Sequence, residues 1–77
     1  MNKVRRESLG KLNEQIGNIK SAIEELMDEE QEYLDNMPEG LQGTEKGDNG
    51  QAAIDGMESA IGSLEDAANS IEESISY

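Results

Sequence analysis

The sequence predicts an all-α protein, an antiparallel helical hairpin of coiled-coil type that dimerises into a four-helix bundle. Three observations predict it. Two stretches carry apolar residues at alternating three- and four-residue intervals, a Gly- and Pro-rich segment separates them, and one register sets the two stretches face to face. Composition alone leaves folding open: 34% hydrophobic content with no Phe or Trp, under a net charge of −12, lies near the disordered range. The periodicity decides in favour of a fold.

Helix 1 is expected over about residues 4–37. Its apolar positions are Leu9, Leu12, Ile16, Ile19, Ile23 and Leu26, and the same rhythm continues through Glu30, Tyr33 and Met37. Pro38 stops it, because proline disfavours the helical conformation in the residue before it. Residues 38–50 hold four glycines besides that proline and read as a loop. Helix 2 is expected over about residues 51–76, with Ile54, Met57, Ile61, Leu64, Ala68, Ile71 and Ile75 on its seam. Asp48 and Gln51 have the spacing of a capping-box variant at its start. Gly10, Gly17, Gly56 and Gly62 weaken both helices by about 1 kcal/mol each relative to Ala, so packing has to supply much of the helicity.

The expected register pairs Leu12 with Ile75, Ile16 with Ile71, Ile19 with Ala68, Ile23 with Leu64, Leu26 with Ile61, Glu30 with Met57 and Tyr33 with Ile54. Tyr33 is thereby read as core, and Glu30 as a side chain that reaches out to solvent near the loop end. The apolar surface is wider than this seam. Met27 and Leu34 flank it on helix 1, and Ala53, Ala60 and Ala67 recur every seven residues on helix 2. Two hairpins joined by those flanks would bury them, and a chain of 77 residues is short enough to need such help. A homodimer is the expectation; the alternative is a flank buried on a different protein.

Several functions are excluded by what the chain lacks. Without Cys or His there is no disulfide, thiol nucleophile, imidazole base or zinc finger. Asp48–Asn49–Gly50 lacks the surrounding ligands of a calcium loop. The chain is read as a non-enzyme with no cofactor and no metal site. No apolar run approaches the roughly 18 residues of a membrane span, and no apolar segment follows Lys3, Arg5 and Arg6 as it would in a secretory signal. A net charge of −12 repels nucleic acid and anionic lipid. These readings place the protein in the cytoplasm, with no direct nucleic-acid or membrane contact.

The distribution of charge is more informative than its sum. Residues 1–20 hold five bases and two acids, whereas residues 21–77 hold sixteen acids against Lys46 alone. The densest run is Glu24, Glu25, Asp28, Glu29, Glu30, Glu32 and Asp35. Acids at the C-terminal end of a helix oppose its dipole, at a few tenths of a kcal/mol to about 1 kcal/mol each. Pairs such as Glu24 with Asp28 and Glu25 with Glu29 add like-charge repulsion. A face that unfavourable to stability suits a basic partner. Twelve helical residues span about 18 Å, over which duplex DNA displays about ten or eleven charges. The seven acids fall short of that density, and a dimer or the neighbouring helix would close the gap to a surface that fits the basic groove of a nuclease or helicase. Charge runs also serve simply to keep a surface solvated. The Lys3–Arg5–Arg6 cluster either folds against the acidic end of helix 2 or overhangs as a partner-facing tail.

The motifs Asp35–Asn36–Met37–Pro38–Glu39 and Leu41–Gln42–Gly43–Thr44–Glu45, with the helical heptads around them from Glu29 to Ser74, carry a resemblance. This stretch resembles small, acidic, uncharacterised proteins of phages and prophages of Gram-positive bacteria, which share a DNMPE–LQ–(S/T)E turn followed by heptads. The Gly, Ser and Asn residues at several outward positions of helix 2 depart from the commoner repeats. The resemblance implies a phage setting and, by analogy, counter-defence. The expected function is therefore a phage-type inhibitor of a basic host protein: a nuclease, a helicase or a defence component. The expected contact residues are Glu24, Glu25, Asp28, Glu29, Glu32 and Asp35, with Met37, Pro38, Glu39 and Leu41 of the loop. The alternative is a phage assembly adaptor or scaffold-like dimer that binds through its apolar flank.

Overall fold

The computed structural model describes residues 1–77 and contains helices only: α1 (Lys3–Asp35), α2 (Glu39–Gln42) and α3 (Glu45–Ser76). The two long helices pack antiparallel into a rod of 59 × 14 × 12 Å, and α2 is a single turn at the bend.

Local chemistry sets the ends of each helix. Asn2 caps α1, its Oδ1 accepting from the Arg5 amide at 2.8 Å, which satisfies one of the four orphan donors of the first turn. α1 closes at Asn36, whose amide donates back to Glu32 and Leu34, two residues short of Pro38. The Leu41 amide donates to the Pro38 carbonyl at 2.8 Å, and the Gln42 side chain donates to the Met37 carbonyl at 3.0 Å, so the bend is held by its own backbone.

The bend is shorter than the sequence suggests. Ten of residues 38–50 are helical, four in α2 and six in α3, which begins at Glu45. The N-cap is Thr44, whose hydroxyl donates back to Leu41; Asp48 lies inside the first turn, and Gln51 bonds to Asp55 instead of closing a capping box. Gly47 and Gly50 explain the early start. They read as loop residues in sequence, yet they are seam residues that admit neighbours too close for a side chain. A Cβ on Gly50 would stand 2.6 Å from Leu34 Cδ2, and one on Gly47 would strike the Gln42 carbonyl. Only Met37, Gly47, Gly50 and Ile54 are buried, all of them at this end.

Extending α3 changes the pairing. Its seam runs Gly47, Gly50, Ile54, Met57, Ile61, Leu64, Ala68, Ile71 and Ile75. The expected positions are all present, with two glycines added. On α1 the covered residues are Leu9, Asn13, Ile16, Lys20, Ile23, Met27, Glu30 and Leu34. Leu34 therefore lies against Gly50, where Tyr33 was expected against Ile54. Near the other end the Asn13 side chain donates to the Ala68 carbonyl at 3.3 Å, where Ile19 was expected. Alternate seam positions of α1 have moved by one residue while the rest have kept their place. The helix is thus turned by about 50° from the expected orientation, half the 100° between successive residues. The pairing has also slid along the rod, because Ala68 meets Asn13, six residues before Ile19, and Gly50 takes the place of Ile54.

The turn has consequences on both sides. Met27 and Leu34, expected on the outer flank, belong to the contact between α1 and α3. Leu12, Ile19, Leu26 and Tyr33, expected in the core, are 49%, 52%, 57% and 49% exposed. Three polar residues take seam places. Lys20 reaches across to Glu65 at 2.9 Å and along α1 to Glu24 at 4.0 Å. Asn13 keeps its Oδ1 buried without a partner, and Glu30 lies near Gly50.

Candidate protein-binding surface

The two sides of the hairpin differ in chemistry. One carries Gly10 and Gly17 of α1 beside Glu65 and Glu72 of α3, which line polar clefts with Asn13, Lys20 and Asn69. The Glu65 carboxylate holds the Lys20 ammonium above the ordinary lysine value, first by its hydrogen bond and then by its charge. A raised lysine pKa means that this contribution is fully present below the unfolded value of 10.5 and is lost only as pH rises beyond it.

The other side is apolar. It presents the Leu12, Ile19, Leu26 and Tyr33 row of α1, which recurs every seven residues. The Ala53, Ala60 and Ala67 row of α3 lies on the same side. Lys46, one heptad before Ala53, places its ammonium 5.6 Å from the centroid of the Tyr33 ring and ties the two rows together. The Tyr33 phenol holds that ammonium above the ordinary lysine value.

Glu29 and Glu32 of α1 border this face. Glu25, Asp28, Glu29 and Glu32 follow one another at helical i, i+3, i+4 and i+7 spacing, all exposed and none in an ion pair. Glu24 is half-buried and shares Lys20 with Glu65; Asp35 accepts from Gln31 at 3.0 Å. Where the acidic strip meets the bend, a groove of about 480 Å³ opens between Glu29, Glu32, Tyr33, Asn36, Met37, Pro38, Leu41 and Lys46. The structure thus brings Glu29, Glu32, Met37, Pro38 and Leu41 together. Met37, 8% exposed, packs mostly inside the bend and still lines the groove. Glu39 is exposed beside the groove. Sequence reasoning missed Tyr33 and Lys46 as members of this surface; their signal was the heptad phase of Lys46 relative to Ala53, hidden by treating residue 46 as loop.

The basic N-terminal cluster does not fold onto α3. Lys3 pairs with Glu7 at 3.8 Å, while Arg5 and Arg6 are exposed without an acid partner. No three carboxylates converge to hold a metal ion, and no helix is long and apolar enough to cross a membrane. Comparison with protein-family models, curated proteins and solved structures returns no match.

Proposed function

We propose that this chain is a non-catalytic inhibitor of phage type, working as a dimeric four-helix bundle, whose acidic α1 face binds a basic host protein. Nucleases, helicases and defence components that handle nucleic acid present grooves of the required charge. The observation that carries this reading is the strip of Glu25, Asp28, Glu29 and Glu32. Four exposed carboxylates without bases repel one another on a helix end that already disfavours negative charge. A basic partner relieves that repulsion.

Affinity capture from nuclease-treated bacterial lysate, eluted along a salt gradient, tests the reading. The expected result is a basic protein released at modest salt, because exposed charges are screened within about 8 Å at physiological ionic strength. Glu25→Lys with Asp28→Lys lowers its retention at least tenfold while leaving helicity unchanged. Equal retention of that partner by the reversed variant would overturn the proposal.

The half-exposed Leu12, Ile19, Leu26 and Tyr33 row favours a second reading, an assembly adaptor that binds through apolar contact. A partner that stays bound at high salt and ignores charge reversal is the result that reading expects.

A further inference from the structure

We infer that the apolar side of the hairpin is a homodimer interface in which α1 of one copy lies antiparallel against α1 of a second copy, with the two bends at opposite ends of the bundle. The inference rests on the dimeric reading above and adds the face, the symmetry and the residue pairing. Heptad spacing supplies the geometry. A two-fold axis crossing α1 beside Ala22, midway between Ile19 and Leu26, sets Ile19 against Leu26 of the second copy and Leu12 against Tyr33 of the second copy. Ala22 is exposed and lies between those two rows of contacts, so the smallest side chain stands where the helices approach most closely. The alanine rows of the two α3 helices then face each other beside this seam.

Charge selects this arrangement over the others. α1 is basic at its start and acidic toward its end, so antiparallel pairing sets unlike halves side by side. Lys11 comes opposite Glu32 of the second copy, which leaves Glu25 and Asp28 as the acids of the strip open to a basic partner. Arg5 and the 70% exposed Val4 are carried past Tyr33 of the second copy toward the groove walled by its Glu29, Glu32 and Leu41. A parallel pairing of the α1 helices would oppose Glu25 and Glu32 to themselves. Pairing α1 with α3 would bring both bends, with their acids, to one end. The size also fits: a rod of 59 × 14 Å offers about 800 Å² on its broad side, which is what each partner of a standard interface buries. The contact is isologous and closed, so it ends at two copies.

The test is sedimentation of the intact chain together with site-directed crosslinking. The wild type is expected to sediment as a dimer at tens of micromolar. Ile19→Glu with Leu26→Glu is expected to weaken the dimer at least a hundredfold while the helical circular dichroism remains. Ala22→Cys, in a chain with no cysteine of its own, is expected to form an intermolecular disulfide under mild oxidation, because only Cα atoms within about 7 Å can be bridged. This second variant keeps the face testable if the glutamates unfold the hairpin. A wild type that stays monomeric at every concentration overturns both this inference and the dimeric reading. A monomer that captures another protein through the Ile19 row gives that row a different occupant and overturns it equally. A dimer that persists in the glutamate variant, or that never crosslinks at position 22, overturns the face or the symmetry and leaves the dimeric reading standing.

Discussion

Ile54→Ala is expected to cost about 2–5 kcal/mol, the range for truncating a buried isoleucine whose surroundings collapse only in part. A chain this size has about the low end of the usual 5–15 kcal/mol to lose, so the variant should be close to unfolded at 37 °C. The magnitude follows from position. At 3% exposure Ile54 is the most enclosed apolar side chain in the molecule, and Met37 at 8% is the other member of its core. Both sit at the bend, where Gly47 and Gly50 let α3 approach α1 and Gln42 closely. Along the rest of the rod each helix buries one stripe, and every seam residue stays partly exposed. Ile75→Ala at the open end serves as the comparison and is expected to lower the midpoint by only a few degrees. Thermal unfolding followed at 222 nm separates the two. Equal losses from both variants would refute a stability concentrated at the bend.

The same bend explains which parts of the fold could be read from the sequence. The helical class and the antiparallel fold-back follow from apolar spacing, and the α3 seam was readable residue by residue because its apolar positions form one narrow stripe. The α1 seam was not. Its apolar residues occupy two rows, Leu9, Ile16 and Ile23 on one and Leu12, Ile19 and Leu26 on the other, and a heptad count assigns both to a single partner. Which row turns inward depends on where α3 begins. That depends on two glycines whose lack of a side chain is a packing feature at this place and a loop signal elsewhere. Asn13 and Lys20 occupy the seam because the close contact of Leu34 with Gly50 fixes the rotation of the whole helix. The surface was legible in part for the same reason. The acids of α1 were identifiable from charge alone, whereas the Leu12 to Tyr33 row becomes a surface only once the rotation is known.

Replacing Gly10, Gly17, Gly56 and Gly62 together with alanine is expected to raise the thermal midpoint by about 10–25 °C, whereas the same change at Gly47 lowers it. The contrast comes from what a methyl group meets. At the four helical sites nothing lies within 4 Å of the added Cβ, so the substitution only removes backbone freedom from the unfolded chain. Alanine gains about 0.8–1 kcal/mol over glycine in a helix interior, or about 3–4 kcal/mol for the four. Each kcal/mol shifts the midpoint of a domain this small by about 4–8 °C; the lower part of that range is the conservative expectation, since helix ends fray. At Gly47 the same propensity gain is opposed by collision with the Gln42 backbone, which has no side-chain rotamer to yield. Overpacking of that kind costs about 1–3 kcal/mol, enough to reverse the sign. Gly50 is intermediate, because its added methyl would meet the movable end of Leu34. Melting curves of the quadruple variant, Gly50→Ala and Gly47→Ala should therefore rank in that order from most to least stable. A Gly47→Ala variant more stable than the wild type would mean that α3 does not approach the bend as closely as Gln42 requires, and the rotation of α1 that exposes the Leu12 to Tyr33 row would lose its cause.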